Sequence, residues 1–236
     1  MNNLTTKHIG LTTLYAIAAS VTILAFLGMS YFLMEPVVSH SQVETEDFYV
    51  RQTITDETSF TVPPTNVTMN GSVNGVTGGQ ATGTSQFSVI SNNTAGYYVT
   101  IAFEDNSTDN AMLGDASDSE ALRDYSGDDA GEPSFGYVAS TAAQFAYTLT
   151  SSTTGDTDQS FLHNGTTACD FNGGTQDGTC WKAPEIGQFR IVDRDSAAIT
   201  GATSTLTFNI TVPSGALPVP QAETYTATAT LSLFVK

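Results

Sequence analysis

The chain has 236 residues and a formal net charge of −17, from 24 acidic and 7 basic side chains. A surface this acidic repels nucleic acid and anionic headgroups, and no basic patch reverses that, so nucleic acid is excluded as a partner. Only 13% of residues are charged and apolar alternation is frequent, which excludes a disordered chain.

The first element is Ile9 to Met34, 26 residues without a charged side chain, with Lys7 before it and Glu35-Pro36 after it. A helix needs roughly 20 apolar residues to cross the hydrocarbon core of a bilayer. Two fates are open. As a secretory signal, the run is followed by Ser39 and Ser41 at the −3 and −1 positions of a cut before Gln42, the small residues that such a site needs. As an anchor it is retained with Lys7 on the cytoplasmic side, and its length exceeds the ~7–15 residues of an ordinary signal core. Either fate exports the remainder. The chain therefore divides into 1–41, a signal peptide or N-terminal membrane anchor, and 42–236, an extracellular β-sandwich domain. All acids but Glu35 and all bases but Lys7 lie in the second part, whose roughly 195 residues suffice for one sizeable sandwich or two small ones.

From Val43 onward the apolar period is two, the mark of half-buried strands. Phe48, Val50, Gln52 and Ile54 share one face of the first run, and Phe60 and Val62 follow after a break. Pro63-Pro64 stops that strand because proline cannot donate to a ladder. Asn66 to Gly83 carries the turn signals Asn70-Gly71, Asn74-Gly75 and Gly78-Gly79, with strands expected through Val67–Met69 and Gly71–Val76. Phe87 and Val89, then Tyr97, Val99, Ile101 and Phe103, flank the turn residues 91–96, a pattern that predicts an antiparallel hairpin. Glu104 to Glu132 is an acidic insertion with one expected helical turn at Glu120–Tyr125, capped by Ser117 or Asp118. Strands resume at Phe135–Val138 and Phe145–Leu149, then at Phe189–Ile191 and Leu206–Val212, and close with one long strand from Thr224 to Lys236. This pattern predicts an all-β fold, an Ig-like, Greek-key β-sandwich of about 8–10 antiparallel strands preceded by an N-terminal hydrophobic helix.

Cys169 and Cys180 are the only cysteines, and in an oxidising compartment so close a pair reads as one disulfide. Zinc would need further ligands, and His163 is the only histidine after residue 41. That also leaves a serine nucleophile short of bases. There is no Gly-x-Ser-x-Gly elbow and no phosphate loop, so no enzyme is expected. No cofactor is expected either, calcium apart. Asp105, Asp109, Asp115, Asp118 and Glu120 crowd one loop, while Asp156 and Asp158, or Asp170, Asn172 and Asp177, crowd another. Such loops can supply the oxygens that calcium takes, but none follows the EF-hand spacing, and solvated loops are the favoured reading. Asn66, Asn70, Asn92, Asn106, Asn164 and Asn209 head glycosylation sequons; these mark exposed loops, with Asn209 on the outward face of a predicted strand.

The layout resembles exported prokaryotic surface β-sandwich proteins of fimbrial-subunit type. The likeness rests on a leader, the extended segment Val43–Ile54, the turn Asn92-Asn93-Thr94-Ala95-Gly96-Tyr97, and a Thr/Ala final strand from Tyr225 to Leu231. Lys7-His8-Ile9-Gly10 before Leu11 also resembles a prepilin cut site, but Tyr15 stands where that family has glutamate. What the first resemblance implies is a non-enzymatic structural or adhesive surface protein. Its partners would be the membrane, if the leader is kept, and like subunits. Val43, Phe48, Val50 and Ile54 would form a donor strand added to the next copy's sheet, although pairing of that run within its own domain is the favoured expectation. A carbohydrate- or calcium-dependent binding module, stacking ligands on Tyr125, Tyr137 or Trp181, is the alternative.

Overall fold

A computed structural model describes residues 5–33, 45–104, 110–117, 119–127, 131–139, 141–166, 168–169 and 174–236. The chain forms two units, Met1–Gln52 and Thr53–Lys236. The first holds helix α1, Thr5–Leu33, of which Gly10–Leu33 is long and apolar enough to cross a membrane. Several of its hydroxyl side chains are satisfied within the helix. The Thr13, Ser20 and Ser30 hydroxyls donate to the carbonyls of Gly10, Ile17 and Leu27 at 3.0, 2.9 and 2.9 Å, which is how a hydroxyl is tolerated where no water reaches.

Apart from two single-turn 3-10 helices, Thr154–Asp156 and Gln159–Phe161, the described elements of the second unit are strands. Its strands are β1 (Thr58–Val62), β2 (Asn70–Asn74), β3 (Gly78–Ser91), β4 (Tyr97–Phe103), β5 (Met112–Gly114), β6 (Ala121–Asp124), β7 (Ser134–Phe135), β8 (Gln144–Ser151), β9 (Cys180–Trp181), β10 (Phe189–Arg194), β11 (Ala198–Val212), β12 (Tyr225–Thr226) and β13 (Ala229–Val235). The largest sheet runs β1-β3-β11-β8-β6-β5-β12, with β2 also paired to β3 beyond the end of β1. A smaller sheet runs β10-β4-β13, and β7 pairs β9.

Strands β3 and β11 pair continuously from Gly79↔Val212 to Val89↔Ala202. Along β3, Ala81, Gly83, Ser85, Phe87 and Val89 point inward and are buried, while the residues between them are not. Gly83 is required by proximity: a Cβ there would stand 2.3 Å from Val67 Cγ1 and 2.9 Å from Met69 Sδ. Phe87 and Val89 of the large sheet join Val99, Ile101 and Phe103 of the small sheet, with Tyr147, Ile191, Leu206 and Phe208, in one core. Strand β8 is buried on both faces, because the segments around Tyr125, Tyr137 and Trp181 pack over its second face at Ala146.

Several expectations change. The Phe87–Phe103 stretch is no hairpin. β3 pairs with β1, β2 and β11, whereas β4 pairs with β10 and β13, so the turn carries the chain from one sheet to the other. Its geometry explains the crossing. Asn93 Oδ1 accepts from Ala95 N at 2.9 Å, its Nδ2 donates to the Lys236 carbonyl at 3.0 Å, and Gly96 takes φ +92°. A Cβ at Gly96 would lie 1.9 Å from the Arg194 carbonyl oxygen. Both runs keep an apolar face because both line the same core from opposite sides. The expected helical turn at Glu120–Tyr125 is strand β6, which buries Leu122 and pairs with β8 in parallel, Arg123↔Gln144 and Asp124↔Phe145. The pairing is therefore not wholly antiparallel, and the described residues hold thirteen strands rather than eight to ten. The strand expected at Val67–Met69 is absent, and those side chains pack on the core as covering chain. The closing strand is broken after Thr226, where the chain leaves β5 of the large sheet for β4 of the small one.

Phe87 is 1% exposed and meets Phe60 edge-on at 6.0 Å. Phe87→Ala should lower the stability of unfolding by about 3–5 kcal/mol. Urea titration checks this: a lower midpoint at unchanged slope is the expected result.

Candidate functional site

The disulfide forms between Cys169 and Cys180, with S–S 2.00 Å and Cα–Cα 6.0 Å. Cys180 is fully buried on β9, which β7 and β8 flank, and Cys169 packs partly against the core. The bridge thereby ties Cys169 to the segment at 178–182 that bonds along the edge of β8, with both sulfurs on the main core.

Several of the described carboxylates in the acidic loops are engaged by the protein itself. Asp105, Asp109 and Asp118 of the calcium candidates lie outside the described residues, as do Asp170 and Asn172. Asp115 is exposed, and the Glu120 carboxylate accepts from Gln221 Nε2 at 2.6 Å. In the second loop, Asp158 accepts from Ser160 N at 3.1 Å and from its hydroxyl at 2.8 Å. Asp177 Oδ2 accepts from Ser151 N at 2.9 Å and Thr157 Oγ1 at 3.0 Å. Asp156 is buried against Arg194 Nη1 at 2.5 Å. Among the described residues no three His, Cys, Asp or Glu side chains converge as a metal site would require.

A cleft of about 470 Å3 opens beside β10, lined by Glu132, Asp158, Ser160, Arg190, Asp193 and Asp195 among others. Arg190 bridges its walls, with Nε 3.0 Å from Asp158 and Nη1 2.9 Å from Asp193. Lys236 joins Asp193 and Asp195, so the far end of β13 is held to the turn after β10. Burial pulls the Lys236 ammonium down, but its bonds to Asp193 and Asp195 outweigh this and raise it. The same lysine holds the Asp195 carboxyl below its usual value. Among the described residues no imidazole lines the cleft. His163 is buried elsewhere, its Nδ1 accepting from Gly165 N at 3.0 Å and its ring against Phe135.

The aromatic residues suited to stacking a sugar are used internally. Tyr125 is buried, its hydroxyl donating to the Gly136 carbonyl at 2.7 Å. Tyr137 donates to the Gln144 carbonyl and stands between Tyr125 and Trp181; burial raises its phenol well above the ordinary value. Burial, reinforced by Asp156, likewise pushes Tyr97 up to about 12. Asn209 is on the face of β11 away from the core, as its parity requires, yet only 4% exposed, accepting from Gln80 Nε2 at 3.1 Å. It has no room for a glycan.

The candidate donor run has a different character. Val43 lies outside the described residues, and no strand is assigned over 45–57. Phe48, Val50 and Ile54 are 85%, 86% and 82% exposed. Its end is pinned, since Asn92 Oδ1 accepts from Glu57 N at 2.6 Å and Asn92 Nδ2 donates to the Thr55 carbonyl at 3.0 Å. Sequence reasoning missed this role of Asn92, because an asparagine in a turn signals only the turn.

These features define an all-β domain with one disulfide in a chain that also carries an apolar helix. No family model, curated protein or solved structure matches the chain.

The Asp195–Lys236 pair has a testable sign. A depressed carboxyl contributes stability that is complete above its unfolded value and disappears as pH falls through the lowered folded one. A raised lysine loses its contribution as pH climbs through the raised value. An NMR titration should place the Asp195 midpoint below 3.8, and Lys236→Met should return it to that reference.

Proposed function

We propose that this is a non-enzymatic cell-surface or extracellular structural or adhesive protein. It is a filament-type subunit that assembles by strand addition, on an Ig-like, Greek-key sandwich exported behind its apolar leader. The observation that carries this reading is the run at 45–57. Phe48, Val50 and Ile54, which share one parity with Gln52, are all exposed, and exposed apolar side chains at strand spacing are costly unless a partner covers them. Export is supported by the apolar helix and by a disulfide that persists best in an oxidising compartment. The rival reading, a sugar- or calcium-binding module, is weaker, because Tyr125 is buried and the described carboxylates of the second acidic loop already have protein donors.

Light scattering of the full chain in detergent tests the proposal. The natural sequence should form species larger than a monomer-bearing micelle, and Val50→Asp should reduce them to monomer while leaving the circular dichroism of the β domain unchanged. A natural chain that stays monomeric and responds to glycans or calcium instead would favour the rival.

A further inference from the structure

If the run at 48–54 adds to a sheet, the sheet edges are not equivalent. An unpaired edge invites strand pairing when it is long, regular, uncharged and free of proline, and it is blunted by bulges, short length or a covering segment. Strand β1 is five residues, its register shifts between Phe60 and Val62, and Pro63-Pro64 ends it. β2 is five residues and wholly exposed, with no packed face to guide a newcomer. β12 spans two residues. The outer edge of β10 is already occupied, because Thr157 bridges Val192 and Asp158 N donates to the Ile191 carbonyl at 2.9 Å.

Strand β13 differs from all of these. It pairs with β4 over seven residues, Ala229↔Phe103 to Val235↔Tyr97, without a shift in register. It contains no charge, proline or glycine. Among the described residues no backbone group hydrogen-bonds to its other edge. Leu231 and Leu233 point toward the core yet stay only half-buried, and Phe60 on the facing sheet is half-buried too. A partly covered apolar seam therefore runs between the β13 edge and β1, which approaches it from the facing sheet.

We infer that the β13 edge is the acceptor, and that its occupant is the Phe48–Ile54 segment of a second copy of this chain. This rests on the assembly reading above and adds the place where assembly occurs. Phe48, Val50 and Ile54 would enter the seam beside Leu231 and Leu233, at the two-residue spacing that both strands share. Tyr49, Arg51 and Thr53 would face outward beside Thr230, Ser232 and Phe234. The three-stranded sheet would gain a fourth strand, and main-chain bonds would supply affinity while the side-chain pockets set register.

Full-length chains carrying single cysteines at outward positions test this. Tyr49→Cys, Arg51→Cys and Thr53→Cys are each mixed with Ser232→Cys, and with Ser72→Cys on β2 and Ser59→Cys on β1 as alternative edges, then oxidised gently. The expected result is a covalent dimer in at least one mixture with Ser232→Cys, none with the other two edges, and loss of that dimer when Val50→Asp is added. Multimers that cross-link through Ser72→Cys or Ser59→Cys would overturn the acceptor assignment and leave assembly intact. Arg51→Cys and Ser232→Cys placed in one chain and closing within a monomer would show the segment docking on its own copy, overturning the second-copy assignment. No multimer and no cross-link on any edge would remove both the inference and the reading beneath it.

Discussion

The register between β3 and β11 is the constraint on which the other elements depend. Eleven consecutive pairs, Gly79↔Val212 to Val89↔Ala202, fix which side chains face in. A slip of one residue would turn Phe87, Val89, Leu206 and Phe208 to the wrong side. The pairing also sets the positions of everything laid on it. β1 and β2 share the remaining edge of β3, β8 takes that of β11, and β4 can only approach as part of a facing sheet. The aromatic contacts across the core, such as Phe103 against Tyr147 at 5.5 Å, follow from that placement.

Alternation revealed the strands but not their partners. Period two in Phe87–Val89 and Tyr97–Phe103 says that each run has a buried face, and that holds for two strands in one sheet as well as for two strands facing one another. What decided between them was the hydrogen bonding of Asn93 and the left-handed Gly96, which only tertiary contacts reveal. Glu120–Tyr125 has the composition of a helical turn, yet burial of Leu122 and the backbone partners on β8 outweighed that weak preference. Long strands such as β8 and β11 were legible because their apolar residues are numerous, though the start of β11 at Ala198 was not, since a bulge near Gly201 interrupts its pattern. The cysteine pair was legible from proximity in sequence alone.

Charge is distributed unevenly over this frame. The basic residues of β10 and the chain's last lysine are each tied to carboxylates: Arg190 to Asp158 and Asp193, Arg194 to Asp156, Lys236 to Asp193 and Asp195. Lys182, fully buried, meets Glu185 and lies over the Phe189 ring at 4.9 Å. Neutralised locally, these groups leave the excess negative charge on other surfaces, where it opposes non-specific association. β13 itself is neutral.

Residue-resolved amide exchange of the dilute monomer tests this account most directly. It should rank β11 between Thr203 and Thr211 slowest, opening only with the whole domain, with 45–57 fastest and the outward-facing amides of β13 exchanging at least ~100-fold faster than those of β11. Amides of the β13 edge as slow as those of β11, or a protected 45–57 segment in that monomer, would contradict it.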